Sequence, residues 1–152
     1  MEEDLIVTGA LAGVIGNIFK ELFNYVSVAL GWAKYSYWQV AASIFVKPEN
    51  VNQFGAKILG TLGDFLLGAS FGVLLLYLLN KTGRRYFEIK GLGLAWLLWM
   101  GLFGLVVNFE VVRLTPTDIG TSLSAFFSHS ILGLGASLWL KNKSKKGVLP
   151  GC

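Results

Sequence analysis

Four apolar runs constrain this chain more than any other feature of it. They cover about residues 5–30, 58–79, 91–112 and 119–140. A helix rises about 1.5 Å per residue, so about 20 residues cross the roughly 30 Å of bilayer hydrocarbon. No water in that layer can satisfy backbone N–H and C=O groups, so a crossing segment must pair its own. The expected fold class is therefore all-α: a polytopic membrane protein, with a four-transmembrane-helix bundle forming a single domain over 1–152. The first run is interrupted by Lys20 and Glu21, and the second contains Asp64. The third is uncharged until Glu110, and the fourth carries His129 and no formal charge.

Composition excludes the soluble alternative. Hydrophobic residues make up 54% of the chain and charged residues 14%, where a soluble domain carries about 25% charged. A soluble fold of this size has no interior large enough for that apolar surface. The net charge of +4 does not point to nucleic acid. The basic residues stand in short clusters between apolar runs, as at the cytoplasmic ends of membrane helices, and not as a stripe on a polar domain. The expected partner is the lipid bilayer, with a homo-oligomer or another membrane protein beside it. The acidic start, Met1 to Asp4, does not fit a cleavable signal peptide, so the first run is expected to be retained. The one cysteine, Cys152, allows no internal disulfide and does not fit the prenylation spacing.

Between the first two runs lies an aromatic stretch with Trp32, Tyr35, Tyr37 and Trp38. Such rings collect where bilayer meets water. Trp38, Ala41, Ala42 and Phe45 recur at helical spacing, which predicts a short amphipathic helix over about 35–45, lying in the interface. Lys47-Pro48-Glu49-Asn50 then breaks the pattern. Gly83 is a natural terminator for the second span, and Thr117 or Asp118 a natural N-cap for the fourth. With four spans, Lys81, Arg84, Arg85, Lys90, Lys141, Lys143, Lys145 and Lys146 share one side. Lys34, Lys47, Lys57 and Arg113 lie on the other. The excess places both termini in the cytoplasm of a cell-membrane protein, with a basic tail over 141–152.

Projected at about 100° per residue, the polar residues fall on small-residue faces. Gly9, Gly13, Gly16, Asn17, Lys20 and Asn24 share one arc of the first span. Gly60, Asp64, Gly68 and Gly72 form a four-spaced stripe on the second. Gly101, Gly104 and Asn108 share a face of the third. Ser122, Ala125, His129, Gly133 and Ala136 share one on the fourth. Small residues let helix backbones approach closely in lipid, so these faces are expected to meet. Lys20 and Asp64 fall at similar depth in the outer half, which predicts an ion pair between the first two spans. Glu21 sits at the arc's margin and is expected to reach toward the outer interface, since adjacent helix residues point apart.

No catalytic, cofactor or metal motif accompanies these residues. A lone histidine without nearby cysteine does not make a zinc site, Ser128-His129-Ser130 lacks the nucleophile-elbow context, and no phosphate-binding glycine loop is present. The organisation resembles that of small four-span membrane proteins of spore-forming, Gram-positive bacteria. The residues that carry the resemblance are Gly9–Gly13 leading to Lys20-Glu21, then Gly63-Asp64 with Gly68 and Gly72, then Lys81-Thr82-Gly83, Lys90-Gly91 and Ser128-His129. It implies a membrane location and brings no activity with it. The expected role is a non-enzymatic structural or accessory membrane component. The alternatives are a small proton- or ion-coupled transporter or channel subunit, or a holin-like pore former.

Overall fold

A computed structural model describes residues 4–106, 109, 111–114, 118–147 and 149. The described residues are helical or irregular, with no strand among them. In chain order the helices are α1 (Leu5–Ala29), α2 (Tyr37–Ala42), α3 (Phe54–Thr82), α4 (Phe87–Met100) and α5 (Ile119–Lys145). A 3₁₀ turn occupies Pro48–Asn50, and a π-helical segment, Gly101–Val106, continues α4. Three helices, α1, α3 and α5, are long and apolar enough to cross a membrane.

The ends follow from local chemistry. Asp4 caps α1, its Oδ1 accepting from the backbone N–H of Ile6 at 2.7 Å and of Val7 at 3.1 Å. Asp118 caps α5 by accepting from the Thr121 N–H at 2.8 Å. Gly83, at φ 87°, ends α3 in a conformation that a side chain rarely adopts. Lys90 Nζ then donates to the terminal carbonyls of Thr82 and Gly83 at 3.1 and 2.7 Å. Observed α3 and α5 extend beyond the expected apolar runs: residues 54–57 and 80–82 prolong α3, and the polar turn 141–145 prolongs α5.

The third run behaves differently from expectation. Regular α-helix stops at Met100, the π segment stops at Val106, and Val111–Leu114 is irregular. Helix is therefore not continuous to residue 112. Near the Thr115-Pro116 step, where proline disfavours helix in the preceding residue, the Leu114 N–H donates to Ser43 Oγ at 3.3 Å.

Helix α1 packs on both α3 and α5, α4 packs on α5 and touches α3, and α2 packs on α3. The contacts of α1 with α3 and of α4 with α5 pair antiparallel neighbours. Gly9 and Gly13 of α1 abut Gly72 and Gly68 of α3, Gly16 abuts Leu132 and Ala136 of α5, and Gly91 of α4 abuts Gly133 and Ser137 of α5. A Cβ at Gly13 would overlap the Gly68 carbonyl, and one at Gly72 would overlap the Gly9 carbonyl. This backbone-to-backbone approach is the type of packing that holds helices together in lipid, where apolar burial gives no driving force. Below that seam, Phe71, Leu75, Leu76, Leu79, Leu132 and Leu140 form the apolar core. Large residues such as Ile6, Leu22, Leu62, Leu66, Leu97 and Leu123 face outward.

The aromatic stretch expected as an interfacial helix over 35–45 forms the shorter α2, held down at several points. The Tyr37 N–H donates to Asn24 Oδ1 at 3.1 Å, and the Lys34 N–H to Thr121 Oγ1 at 2.9 Å. Gly60 lets the Trp38 carbonyl and Ala42 sit directly on α3. Its N-terminus is closed by a capping box between Ser36 and Gln39. The segment thus covers one end of the α1–α3–α5 bundle and inserts Tyr37, which is 8% exposed.

Candidate functional site

The covered end of the bundle encloses a polar centre. Asn17, Lys20 and Asn24 recur at three- and four-residue spacing, so α1 presents them on its buried face. Asp64 comes from the buried stripe of α3, His129 from α5, and Tyr37 from α2. The expected pair of Lys20 and Asp64 is present: Nζ and Oδ1 lie 2.5 Å apart. Lys20 is 3% exposed and Asp64 7%. The second carboxylate oxygen, Oδ2, accepts from Asn17 Nδ2 at 2.7 Å. Each charge thus meets its opposite, and the carboxylate gains a further donor, which is what a buried ion pair requires.

Glu21 departs from expectation. Its Oε1 lies 3.4 Å from Lys20 Nζ, an ion-pair distance without hydrogen-bonding geometry. Adjacent positions on a helix do point apart, but both side chains are long enough for their ends to approach. The centre therefore holds one ammonium and two carboxylates. Lys20 Nζ also stands 4.3 Å from the centroid of the Tyr37 ring, a cation–π distance. Tyr37 in turn meets the His129 ring edge-on, with centroids 5.7 Å apart and planes at 84°. His129 Nδ1 lies 2.8 Å from the Ala125 carbonyl oxygen. A carbonyl only accepts, so this network assigns the proton to Nδ1.

A cavity of about 80 Å³ adjoins these groups. Asn17, Lys20, Tyr37, Asp64 and His129 form its polar end, and Ile44, Leu67, Leu98 and Leu102 its apolar end. It is far smaller than the roughly 300 Å³ at which pockets for drug-sized ligands begin, and larger than the roughly 10–15 Å³ that one water occupies on a comparable measure. Among the described residues, Asn17 Oδ1, Tyr37 Oη, Ser124 Oγ and Ser128 Oγ are buried without a hydrogen-bond partner. Such groups are the usual sites of internal water.

Of the residues singled out in the sequence, Asn17, Lys20, Glu21, Asn24, Asp64 and His129 meet at this centre. Asn108 lies outside the described residues. Gly9, Gly13, Gly60, Gly68, Gly72 and Gly133 lie in helix contacts, whereas among the described residues a Cβ at Gly101 or Gly104 would meet nothing within 4 Å. The corresponding contact on α4 is made higher up, by Gly91 and Ala95. Ser122 is only half-buried, and the buried face of α5 runs instead through Thr121, Ser124, Ala125, Ser128 and His129. Sequence reasoning missed Tyr37 as a member of the centre, because an aromatic next to a helix end carries no signal of inward orientation. Ser124 and Ser128 were detectable, since each precedes a residue of the small-residue face by one position and lies four from the other. Among the described residues no cluster of histidine, cysteine or carboxylate side chains is arranged to hold a metal.

No protein-family model matches the chain, and no curated protein or solved structure matches it.

Proposed function

We propose that the chain is a non-enzymatic structural or accessory component of the cell membrane, assembled as a four-span protein with both termini cytoplasmic. The observation that carries this reading is the placement of the Lys20–Asp64 pair. It lies on the α1–α3 contact that Gly13 and Gly68 bring together, so sliding either helix by a turn would strand two charges in lipid. Stranded intramembrane charges are costly, and the pair therefore fixes register.

Helix α4 with its π segment covers residues 87–106, enough for the fourth span. Exposed Trp32, Phe45 and Phe54 suit an outer interface around α2. The Lys and Arg excess on the opposite side supports cytoplasmic termini. The apolar outward faces suit either lipid or a second membrane protein, including another copy of the chain.

Reconstitution tests the role. The structural reading expects wild-type proteoliposomes that pass neither protons nor small ions, and Asp64→Asn protein that assembles poorly. Wild-type flux that disappears in a correctly folded Asp64→Asn variant would overturn it in favour of a transporter or channel subunit. Cell killing on overexpression would overturn it in favour of a pore former. Orientation has its own test. Cys152, the one cysteine of the chain, should react with an impermeant thiol reagent in inverted vesicles and resist it in intact cells.

A further inference from the structure

The structural reading above needs only that Lys20 and Asp64 hold register, and it leaves Glu21 and the cavity without a part. We infer that the centre is a proton-binding site, which carries one exchangeable proton on Glu21 beside a Lys20–Asp64 pair solvated by cavity water.

Charge balance is the first argument. One ammonium faces two carboxylates: Asp64 at 2.5 Å and Glu21 at 3.4 Å from Lys20 Nζ. With all three ionised the centre carries an uncompensated negative charge, and an uncompensated charge in a bilayer interior is expensive. One further proton removes it.

Geometry decides which carboxylate takes that proton. Asp64 is committed on both oxygens, one to the ammonium and one to Asn17 Nδ2 at 2.7 Å. Glu21 Oε1 has no hydrogen-bond partner among the described residues. The Glu21 side chain also retains 24% exposure against 9% for Asp64.

The cavity supplies the second, independent observation. Asn17 is fully buried and lines it, and Asn17 Oδ1 finds no partner among the described residues. Tyr37 Oη is in the same position. A space of about 80 Å³ bordered by an ion pair and partnerless polar atoms is the kind of site that fills with water and stays filled. The groups around it are Lys20 from α1, Tyr37 from α2, Asp64 from α3 and His129 from α5, with Leu98 and Leu102 on the α4 side.

The step is a simple proton transfer. A donor acid in water gives up its proton, an O–H bond forms on Glu21, and the donor's conjugate base leaves with the negative charge that Glu21 loses. Release reverses it, and the Lys20–Asp64 pair is unchanged throughout.

Infrared spectroscopy of the full-length chain in neutral-lipid vesicles tests this. At neutral pH exposed carboxylates are ionised, so a protonated-carboxyl C=O band there reports a retained proton. We expect one such band per chain, moved by deuterium exchange, absent in Glu21→Gln and present in Glu88→Gln. If Glu21→Gln fails to fold, Glu21→Asp keeps the carboxyl and should keep a displaced band. No band in the wild type, or a band that survives in folded Glu21→Gln, overturns the proposal. The readout is independent of flux. Vesicles without flux but with the band refute transport and keep the proton site, and a missing band leaves the register argument standing.

Discussion

The two sides of the bundle solve the same packing problem differently. Where α1 meets α3, Gly9 and Gly13 interlock with Gly68 and Gly72, and the Lys20–Asp64 pair closes the contact. At the α4 side, Gly91 and Ala95 pack on α5, Trp96 Nε1 donates to Ser130 Oγ at 2.9 Å, and Trp96 stacks on Phe126. Beyond Met100 the helix passes into a π segment where, among the described residues, nothing packs within 4 Å of a Cβ at Gly101 or Gly104. The α1–α3 seam has small residues, polar partners and a repeat in step on both helices. The π segment beyond α4 has small residues at Gly101 and Gly104 and no comparable seam among the described residues. π segments inside helices are rare and gather at functional sites, and this one lines the apolar end of the cavity through Leu102.

The ion pair gives the sharpest way to break the contrast. Asp64→Leu leaves buried Lys20 only the more distant Glu21, at 3.4 Å, and Lys20→Met leaves Asp64 without its ammonium. Breaking a buried pair this way typically costs about 3–5 kcal/mol, whereas replacing both partners by apolar residues of similar size is often close to neutral. Each single variant should therefore unfold early in denaturant titrations in detergent, and the double variant should recover most of the loss. If the double variant is as unstable as the worse single, the pair does not hold the seam.

Next in size comes the seam itself. Gly13→Val drives a side chain into the Gly68 carbonyl. Overpacking of this kind costs about 1–3 kcal/mol and sometimes more, and backbone cannot move aside as a side chain can. Gly104→Val should change stability by less than about 0.5 kcal/mol, as surface substitutions usually do. Thermal unfolding of the two variants in one detergent makes the comparison directly. Equal effects would erase the distinction between the two sides.

These differences also explain what the sequence revealed. Every member of the arc Gly9, Gly13, Gly16, Asn17, Lys20 and Asn24 is buried, as are Gly60, Asp64, Gly68 and Gly72. A long regular helix has one period, and a face that packs along its whole length imprints that period on the residues. The pair at Lys20 and Asp64 was legible for the same reason, since depth follows from rise per residue. Helix α4 keeps a buried four-spaced face, Phe87, Gly91 and Ala95, but its geometry changes at Gly101, so the face projected through Gly101 and Gly104 does not continue it. Tyr37 was hidden because its inward turn depends on contacts distant in sequence. Asn24 takes its backbone N–H, and Thr121 takes that of Lys34. The approach of Glu21 to Lys20 was not legible, because Cβ directions alone do not limit where a flexible carboxylate ends.

The anchoring of α2 gives a smaller effect that tests this last point. Asn24 is 2% exposed, and its Oδ1 accepts from the Tyr37 N–H. Asn24→Ala would leave that buried donor unsatisfied, at about 1–3 kcal/mol. Hydrogen exchange should quicken at the Tyr37 amide and through α2 while the α1–α3 seam stays protected. Equal loss of protection in both would mean that α2 and the seam form one cooperative unit.

The smallest effect belongs to the cap of α5. The Thr121 backbone N–H donates to the Asp118 carboxylate and holds its pKa below the usual carboxylate value, with the Thr121 hydroxyl and the Lys34 charge adding to the shift. Because the folded-state value lies below the unfolded one, the carboxylate's contribution to stability is complete at pH above the unfolded value of about 3.9. It then declines as pH falls and is lost once pH passes through the lowered folded-state value. Asp118→Asn keeps a side-chain oxygen suited to capping and removes the titration. Melting curves of wild type and variant should therefore run closely at neutral pH and differ in slope on the acid side, where only the wild type loses the cap's charge. The side chain is solvent-exposed, so salt should shrink the difference. A gap that persists unchanged from neutral to acid pH would mean that Asp118 acts through shape and not through its charge.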